Sequence, residues 1–262
     1  NKETVKKISR QQILNYRKSQ YTASSTIVCV AGNFKEDQII EKVKKAFQKV
    51  SVLKPNKKVK VIERQTVPEC LVSFKETDQT HFYLGVRAYN IFNPQRYVLD
   101  VISVLLGGMM SSRLFTEVRE KQGLAYYIKT ENESDPDTGY LVAKAGADNK
   151  RIDKAITTIL KEFKKLTQKK VSAVELKKAK ENIKGRVALS LESSDAKAFF
   201  YASQEVIEGN ILKPEEIFKR IDKVSANDIL KVAKDIFKPK NLNLAIIGPF
   251  KDQERFRKLL KL

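Results

Sequence analysis

Histidine and cysteine are scarce in this chain, with one His and two Cys among 262 residues. A metal centre in which two imidazoles on one helix face share an ion is therefore excluded for these residues. His81 sits in an alternating run, THFYLGV, with no acidic or thiol partner at useful spacing, and reads as a structural strand residue. Cys29 and Cys70 lie in apolar, strand-like contexts without metal-ligand spacing. They read as two buried thiols, and no disulfide framework is expected. No apolar run approaches the roughly 20 residues that cross a bilayer, so no membrane span is expected. The opening NKETVKKISRQQ has no apolar signal core. It begins at Asn1 rather than Met, as expected of a processed product or a piece of a longer protein.

Negative charge is also in short supply: 31 Asp and Glu face 51 Lys and Arg, for a formal net charge of +20. Most of the excess is lysine, which on helices reads as solvated faces and resembles the Lys/Glu enrichment of thermophile proteins. Nucleic-acid surfaces more often combine arginine clusters with aromatic platforms. The largest basic groups here, KPNKKVK and KEFKKLTQKK, hold a single aromatic between them, so no nucleic-acid partner is expected. Nucleic-acid binding driven by net charge alone would show a steep loss of affinity with salt.

What the chain does have is an internal repeat. Lys7–Lys35, KISRQQILNYRKSQYTASSTIVCVAGNFK, aligns without a gap on Lys223–Lys251, KVSANDILKVAKDIFKPKNLNLAIIGPFK, at an offset of 216 residues. Identical pairs include Ser9/Ser225, Ile13/Ile229, Leu14/Leu230, Gly32/Gly248 and Phe34/Phe250, and Tyr21/Phe237 is conservative. In both copies a serine N-cap opens a helix. A turn, a short buried strand (STIVCVAG, LNLAIIG), a glycine and an amphipathic helix (EDQIIEKVKKAF, DQERFRKLL) follow. Each copy reads as the closing part of a domain of roughly 200 residues. The second closes a domain contained in the chain. The first has almost nothing before it, so about 150 residues of a first domain are expected outside the chain. Residues 1–50 then form the remnant of that domain, 51–61 a polar basic linker, and 62–262 a second domain.

In the middle, ECLVSFKET and THFYLGVRAY alternate as strands do. Asn93–Leu106 reads as a helix with Pro94 in its first turn, broken at GGMM. LAYYIKTE and GYLVAKAGA form a strand pair around the turn-rich NESDPDT. Helices are expected near 150–167, 172–191, 195–208, 215–222 and 225–236. Strands first, helices after and a final strand indicate an α+β layer, with helices packed on one face of a mostly antiparallel sheet.

Between them lies SSRLFTEVREKQGLAYY, residues 111–127. With Leu114 at zero, Val118 falls at about 40° and Phe115 at about 100° on a helical wheel, giving a buried stripe. Arg119, at about 140°, lies at the margin of that stripe. Gly123 suits the left-handed turn that stops a helix, and Tyr126 opens the next strand. A guanidinium at a helix end and a phenol at a strand start form a donor pair able to hold a carbonyl oxygen or an oxyanion. The alternative is that Arg119 pairs with a nearby carboxylate and Tyr126 packs in the core.

The run LLGGMMSSRLFTEVREKQGLAYYI closely resembles the signature of the pitrilysin/insulinase family, the zinc metallopeptidases that include mitochondrial processing peptidase and short bacterial processing-peptidase-like enzymes. YTASSTIVCVAGNF and ELKKAKENIKGRVALSLESSDAKA resemble further segments of that family. The resemblance implies two homologous α+β domains joined by a linker. It implies catalytic and substrate-binding roles for Arg119 and Tyr126, which match an arginine and a tyrosine that reach a peptide substrate near the metal. It implies substrate contact by Gly107 and Gly108, although the family's third glycine is Met109 here. It also implies that zinc, held by a His-x-x-Glu-His motif in the first domain, belongs to the parent protein or a partner and is not bound by this chain. The expected partners are a peptide substrate and a missing N-terminal zinc-binding domain or partner subunit, with a homodimer also compatible. Two readings stay open: the C-terminal, non-metal-binding part of a zinc-dependent peptidase, or a non-catalytic partner or scaffold subunit of the same family.

Overall fold

A computed structural model describes residues 1–262. Its helices, in chain order, are α1 (Lys2–Lys7), α2 (Arg10–Gln20), α3 (Glu36–Phe47), α4 (Arg96–Ser103), α5 (Ile152–Gln168), α6 (Ala173–Ser190), α7 (Ser194–Glu208), α8 (Pro214–Lys223), α9 (Ala226–Ile236) and α10 (Gln253–Arg257). The strands are β1 (Glu69–Phe74), β2 (Gln79–Arg87), β3 (Ala125–Ser134), β4 (Gly139–Asp148) and β5 (Leu242–Gly248). The chain divides into two compact units, residues 1–60 with 190–211, and residues 61–189 with 212–262. No helix is long and apolar enough to cross a membrane.

The second unit is an α+β layer. Its five strands run in the order β1-β5-β2-β4-β3. All pairs are antiparallel except β1 with β5. Alternation sets the two faces. In β2, Thr80, Phe82, Leu84 and Val86 are buried, while His81 and Tyr83 are exposed. Neighbouring strands add Leu141, Ala143, Ala145, Leu244 and Ile246 to the buried face. Helices α4, α5 and α9 cover it with Leu99, Ile102, Ile156, Ile159, Phe163, Ile229 and Val232. Phe163 stacks on Phe237 at 4.6 Å between ring centroids. Each such side chain withdrawn from water stabilises the fold by about 1.5–3 kcal/mol. The opposite face of the sheet is open and carries His81, Tyr83, Tyr127, Lys129, Tyr140 and Lys144.

The helix expected over 93–106 is shorter and changes pitch. α4 ends at Ser103, and Val104–Gly108 forms a π-helical turn. The chain becomes extended only at Met109, so Gly107 and Gly108 end the helix rather than break it. The widened turn brings Gly107 against β3, where a Cβ would sit 2.7 Å from the Thr130 amide nitrogen. The β3–β4 connection is also tighter than expected. The strands extend into the polar stretch, leaving Asp135–Thr138 as the turn, closed by the Asp135 amide donating to the Thr138 carbonyl at 2.9 Å. The last helix covers only Gln253–Arg257 of the expected DQERFRKLL.

The first unit shows both what the repeat shares and what it lacks. Ser9 and Ser225 each cap a helix in a reciprocal box, with Gln12 and Asp228. Each helix closes alike: the Tyr21 amide donates to Arg17 and the Phe237 amide to Ala233, both at 2.9 Å. Short 3-10 turns follow at Ala23–Ser25 and Pro239–Asn241. The copies then differ. LNLAIIG is β5, whereas the strand expected at STIVCVAG is unpaired, because no other strand of its unit lies beside it. Cys29, expected to be buried, is exposed for the same reason, while Cys70 is buried on β1. Burial pushes the Cys70 thiol up to about 11, outweighing the opposing effect of Arg257. It stays protonated and unreactive at neutral pH. A thiol reagent at pH 8 is expected to modify Cys29 in the folded 262-residue chain and Cys70 only on unfolding. Equal labelling of both in the folded chain would contradict this placement.

Candidate functional site

The segment expected to be an ordinary α-helix is wound more loosely. Arg113 and Leu114 are α-helical and Phe115–Glu120 form a π-helical turn, with the Lys121 amide donating five residues back to Thr116 at 2.9 Å. Such turns occur often at functional sites. The buried stripe survives the change of pitch. Leu114 and Val118 are fully buried and Phe115 is partly buried. Below it, Arg113 makes two hydrogen bonds to Glu175, at 2.6 and 2.9 Å, which tie the segment to α6.

Gly123 has φ +58°, the left-handed conformation that lets the chain turn back. Its amide donates to the Arg119 carbonyl at 3.1 Å, and the Leu124 amide donates to the Val118 carbonyl at 2.8 Å. The carbonyls at the helix end are thereby satisfied, and Leu124 is buried. β3 begins at once. Ala125 pairs with Ala147 and Tyr127 with Gly146, so Tyr126 is the extra residue of a β-bulge. Bulges re-aim side chains and favour sheet edges and the neighbourhood of active sites. Here the bulge lies on the edge strand.

Neither donor of the pair is hydrogen-bonded or ion-paired within the chain. The Arg119 guanidinium lies over the Phe115 ring at 4.8 Å and has no carboxylate within ion-pair distance, whereas its neighbour Lys121 pairs with Glu117 at 2.7 Å. Tyr126 is 57% exposed and its hydroxyl makes no hydrogen bond. The alternative of an ion-paired arginine and a core tyrosine is therefore not what the fold contains. Gly107 is buried and Gly108 partly buried, its carbonyl accepting from Arg186 at 3.3 Å. Packing against β3 accounts for the glycine at 107.

His81 is exposed on the open face, with Nδ1 3.1 Å from the Tyr127 hydroxyl. No three His, Cys, Asp or Glu side chains gather in a metal-holding cluster, so the residues of this chain do not fit the zinc centre that the resemblance places in the family. A groove of about 580 Å³ elsewhere on the open face is lined by Glu69, Leu71, Tyr83, Arg87, Tyr140 and Asn243 among others. Arg119, Tyr126, Gly107 and Gly108 do not line it.

Sequence reasoning missed the bulge and the His81–Tyr127 pair. The signal for the bulge was present. Ala125 and Ile128 are both apolar and three residues apart, which a period of two cannot place on one face without an extra residue between them. Nothing in the sequence alone set Tyr127 opposite His81, because that pairing depends on the strand order.

Residues 7–183 match the family model of the peptidase M16 inactive domain. A Bacillus subtilis (strain 168) protein named as an uncharacterized zinc protease is 30% identical over 247 residues, covering 94% of this chain and 59% of the relative. A Streptomyces coelicolor protein named likewise is 26% identical, covering 97% of this chain and 57% of the relative. The chain thus spans somewhat more than half the length of these relatives. Among solved structures, the peptidase M16 inactive domain from Pseudomonas fluorescens superposes with a TM-score of 0.85 at 14% identity, covering 96% of this chain and 60% of that one. A protease from Helicobacter pylori gives 0.83 at 22% identity, with 94% and 60% covered. At these identities the structures speak for the fold. With the family model matched over most of its length and its fold shared with a solved M16 inactive domain, the chain belongs to the peptidase M16 family, the pitrilysin/insulinase group of its signature, as the C-terminal, inactive type of domain.

Proposed function

We propose that this chain is the C-terminal, non-metal-binding part of a zinc-dependent peptidase. Residues 62–262 are its second domain, joined through 51–61 to residues 1–50, the closing part of a first domain. The zinc centre belongs to that first domain, in sequence outside these residues. The second domain forms a wall of the substrate chamber. Arg119 and Tyr126 hold the carbonyl of the peptide bond under attack and stabilise the negative charge that its oxygen gains.

The observation that carries this reading is the pair of donors, neither hydrogen-bonded nor ion-paired within the chain, on the two sides of the Gly123 turn. A guanidinium and a phenol are both neutral-pH donors. Their backbones are fixed by the Gly123 turn and by the bulge. The protein leaves both polar ends without a hydrogen-bonding or ionic partner of its own, so both are free to donate to a bound peptide. Such donors aimed at a developing charge act without reorganising as it forms.

The reading has a direct test. The full-length protein is expected to hold one equivalent of zinc after dialysis and to hydrolyse peptides. The 262-residue chain is expected to hold none and to be inactive. A His-x-x-Glu-His motif upstream of Asn1 accompanies this result. Full-length protein that binds no zinc and lacks that motif would instead identify a scaffold subunit.

A further inference from the structure

Tyr126 has no hydrogen bond of its own, so its aim depends on what holds the bulge. On one side, Leu124 and Ala125 are buried. On the other side stands Tyr127, part of a row across three strands in which His81 on β2 pairs with Gly146 on β4, and Gly146 with Tyr127 on β3. The two rings meet above the glycine, with centroids 6.0 Å apart, planes 25° apart, and Nδ1 3.1 Å from the hydroxyl oxygen. A Cβ on residue 146 would lie 2.5 Å from the Tyr127 ring and 3.3 Å from the His81 nitrogen. The glycine therefore leaves the space that both rings fill. Because β2 is the middle strand of the five, this bridge ties the bulged edge strand to the centre of the sheet. Burial pushes the Tyr127 hydroxyl above the usual tyrosine range, more than Lys144 pulls it down. The phenol is thus protonated at neutral pH.

We propose that His81, Tyr127 and Gly146 are positioning residues, which clamp the start of β3 over a side-chain-free seat and thereby fix where Tyr126 presents its hydroxyl. The inference rests on the reading of Arg119 and Tyr126 as the substrate-facing pair and adds the device that aims one of them. It also assigns the chain's single histidine to an orienting contact two strands away from the bulge, rather than to metal or proton transfer.

The test uses the full-length protein carrying 3-fluorotyrosine, with the Tyr126 fluorine line assigned through Tyr126→Phe. His81→Ala and Tyr127→Phe are both expected to move or broaden that line. His81→Asn, whose amide can occupy the place of Nδ1, is expected to restore it. In peptide hydrolysis, His81→Ala is expected to lower kcat by about tenfold or more, since a misplacement of about 1 Å can cost about 10²-fold. KM should change little, and His81→Asn should recover most of the loss. An unmoved Tyr126 line in both His81→Ala and Tyr127→Phe overturns the clamp. A moved line with unchanged kcat, in an enzyme where Tyr126→Phe is impaired, overturns its role in turnover and leaves the Arg119/Tyr126 reading standing. Unchanged turnover in Tyr126→Phe itself overturns that reading, and the inference with it.

Discussion

Arg119→Ala and Tyr126→Phe, made separately in the full-length protein, are each expected to reduce peptide turnover by about 10²–10³-fold, the loss typical of removing one donor from a developing oxyanion. The fall belongs mainly in kcat, because a hydrogen bond that strengthens as the carbonyl oxygen gains charge stabilises the transition state more than the bound peptide. Arg119→Lys is expected to recover only part of the loss, since an ammonium keeps the charge but not the planar fork. Stability is expected to hold. Tyr126→Phe removes an oxygen that bonds to nothing in the chain, and Arg119→Ala gives up only the stacking on Phe115, worth about 0.5–1 kcal/mol at an exposed site. Thermal unfolding of both variants should therefore follow that of the parent. If both donors serve one oxygen, the double variant loses less than the product of the single losses, because groups acting as a unit are not additive. Wild-type turnover in both single variants would remove the pair from the mechanism.

The parts of this fold that follow from period and capping were legible in the sequence. β2 declared itself by alternation, and Phe82, Leu84 and Val86 are buried where that alternation puts them. Ser9 and Ser225 opened helices as N-cap serines do. Gly123 stopped its helix in the left-handed conformation. The parts that were not legible depend on neighbours distant in sequence. The π-helical turns at Val104–Gly108 and Phe115–Glu120 arise where the chain adjusts its pitch to lie against β3, and the helical wheel knows nothing of β3. Placing Arg119 at the margin of the buried stripe needed only the wheel. Learning that its guanidinium meets a ring and no carboxylate needed the fold. Burial of Cys29 and pairing of STIVCVAG failed for a different reason. Apolar pattern reports that a face should be covered, not whether the cover is part of the same chain segment.

In the full-length protein, Ile13→Ala is expected to destabilise by about 2–5 kcal/mol, the cost of emptying a buried isoleucine site, and Ile229→Ala by a similar amount. In the 262-residue chain only Ile229→Ala should carry that cost, with Ile13→Ala within about 0.5 kcal/mol of the parent. The two residues occupy the same place in the repeat, in helices with the same serine cap and the same closing hydrogen bond. Yet Ile229 is 1% exposed and Ile13 58%. The contrast is not confined to one side chain. Phe237 is 4% exposed and its counterpart Tyr21 68%, while Leu244 is 2% exposed and its counterpart Val28 44%. Single exposed apolar residues are common on any surface. If residues 1–50 are the closing part of a first domain, as proposed, an exposed set that reproduces, position by position, the buried set of the second copy is the face that domain covers. Denaturant unfolding followed domain by domain would measure the difference, because a two-domain protein does not unfold in one step. If Ile13→Ala is neutral in the full-length protein as well, nothing packs on α2. The first fifty residues would then be an appendage of the second domain and not the closing part of another.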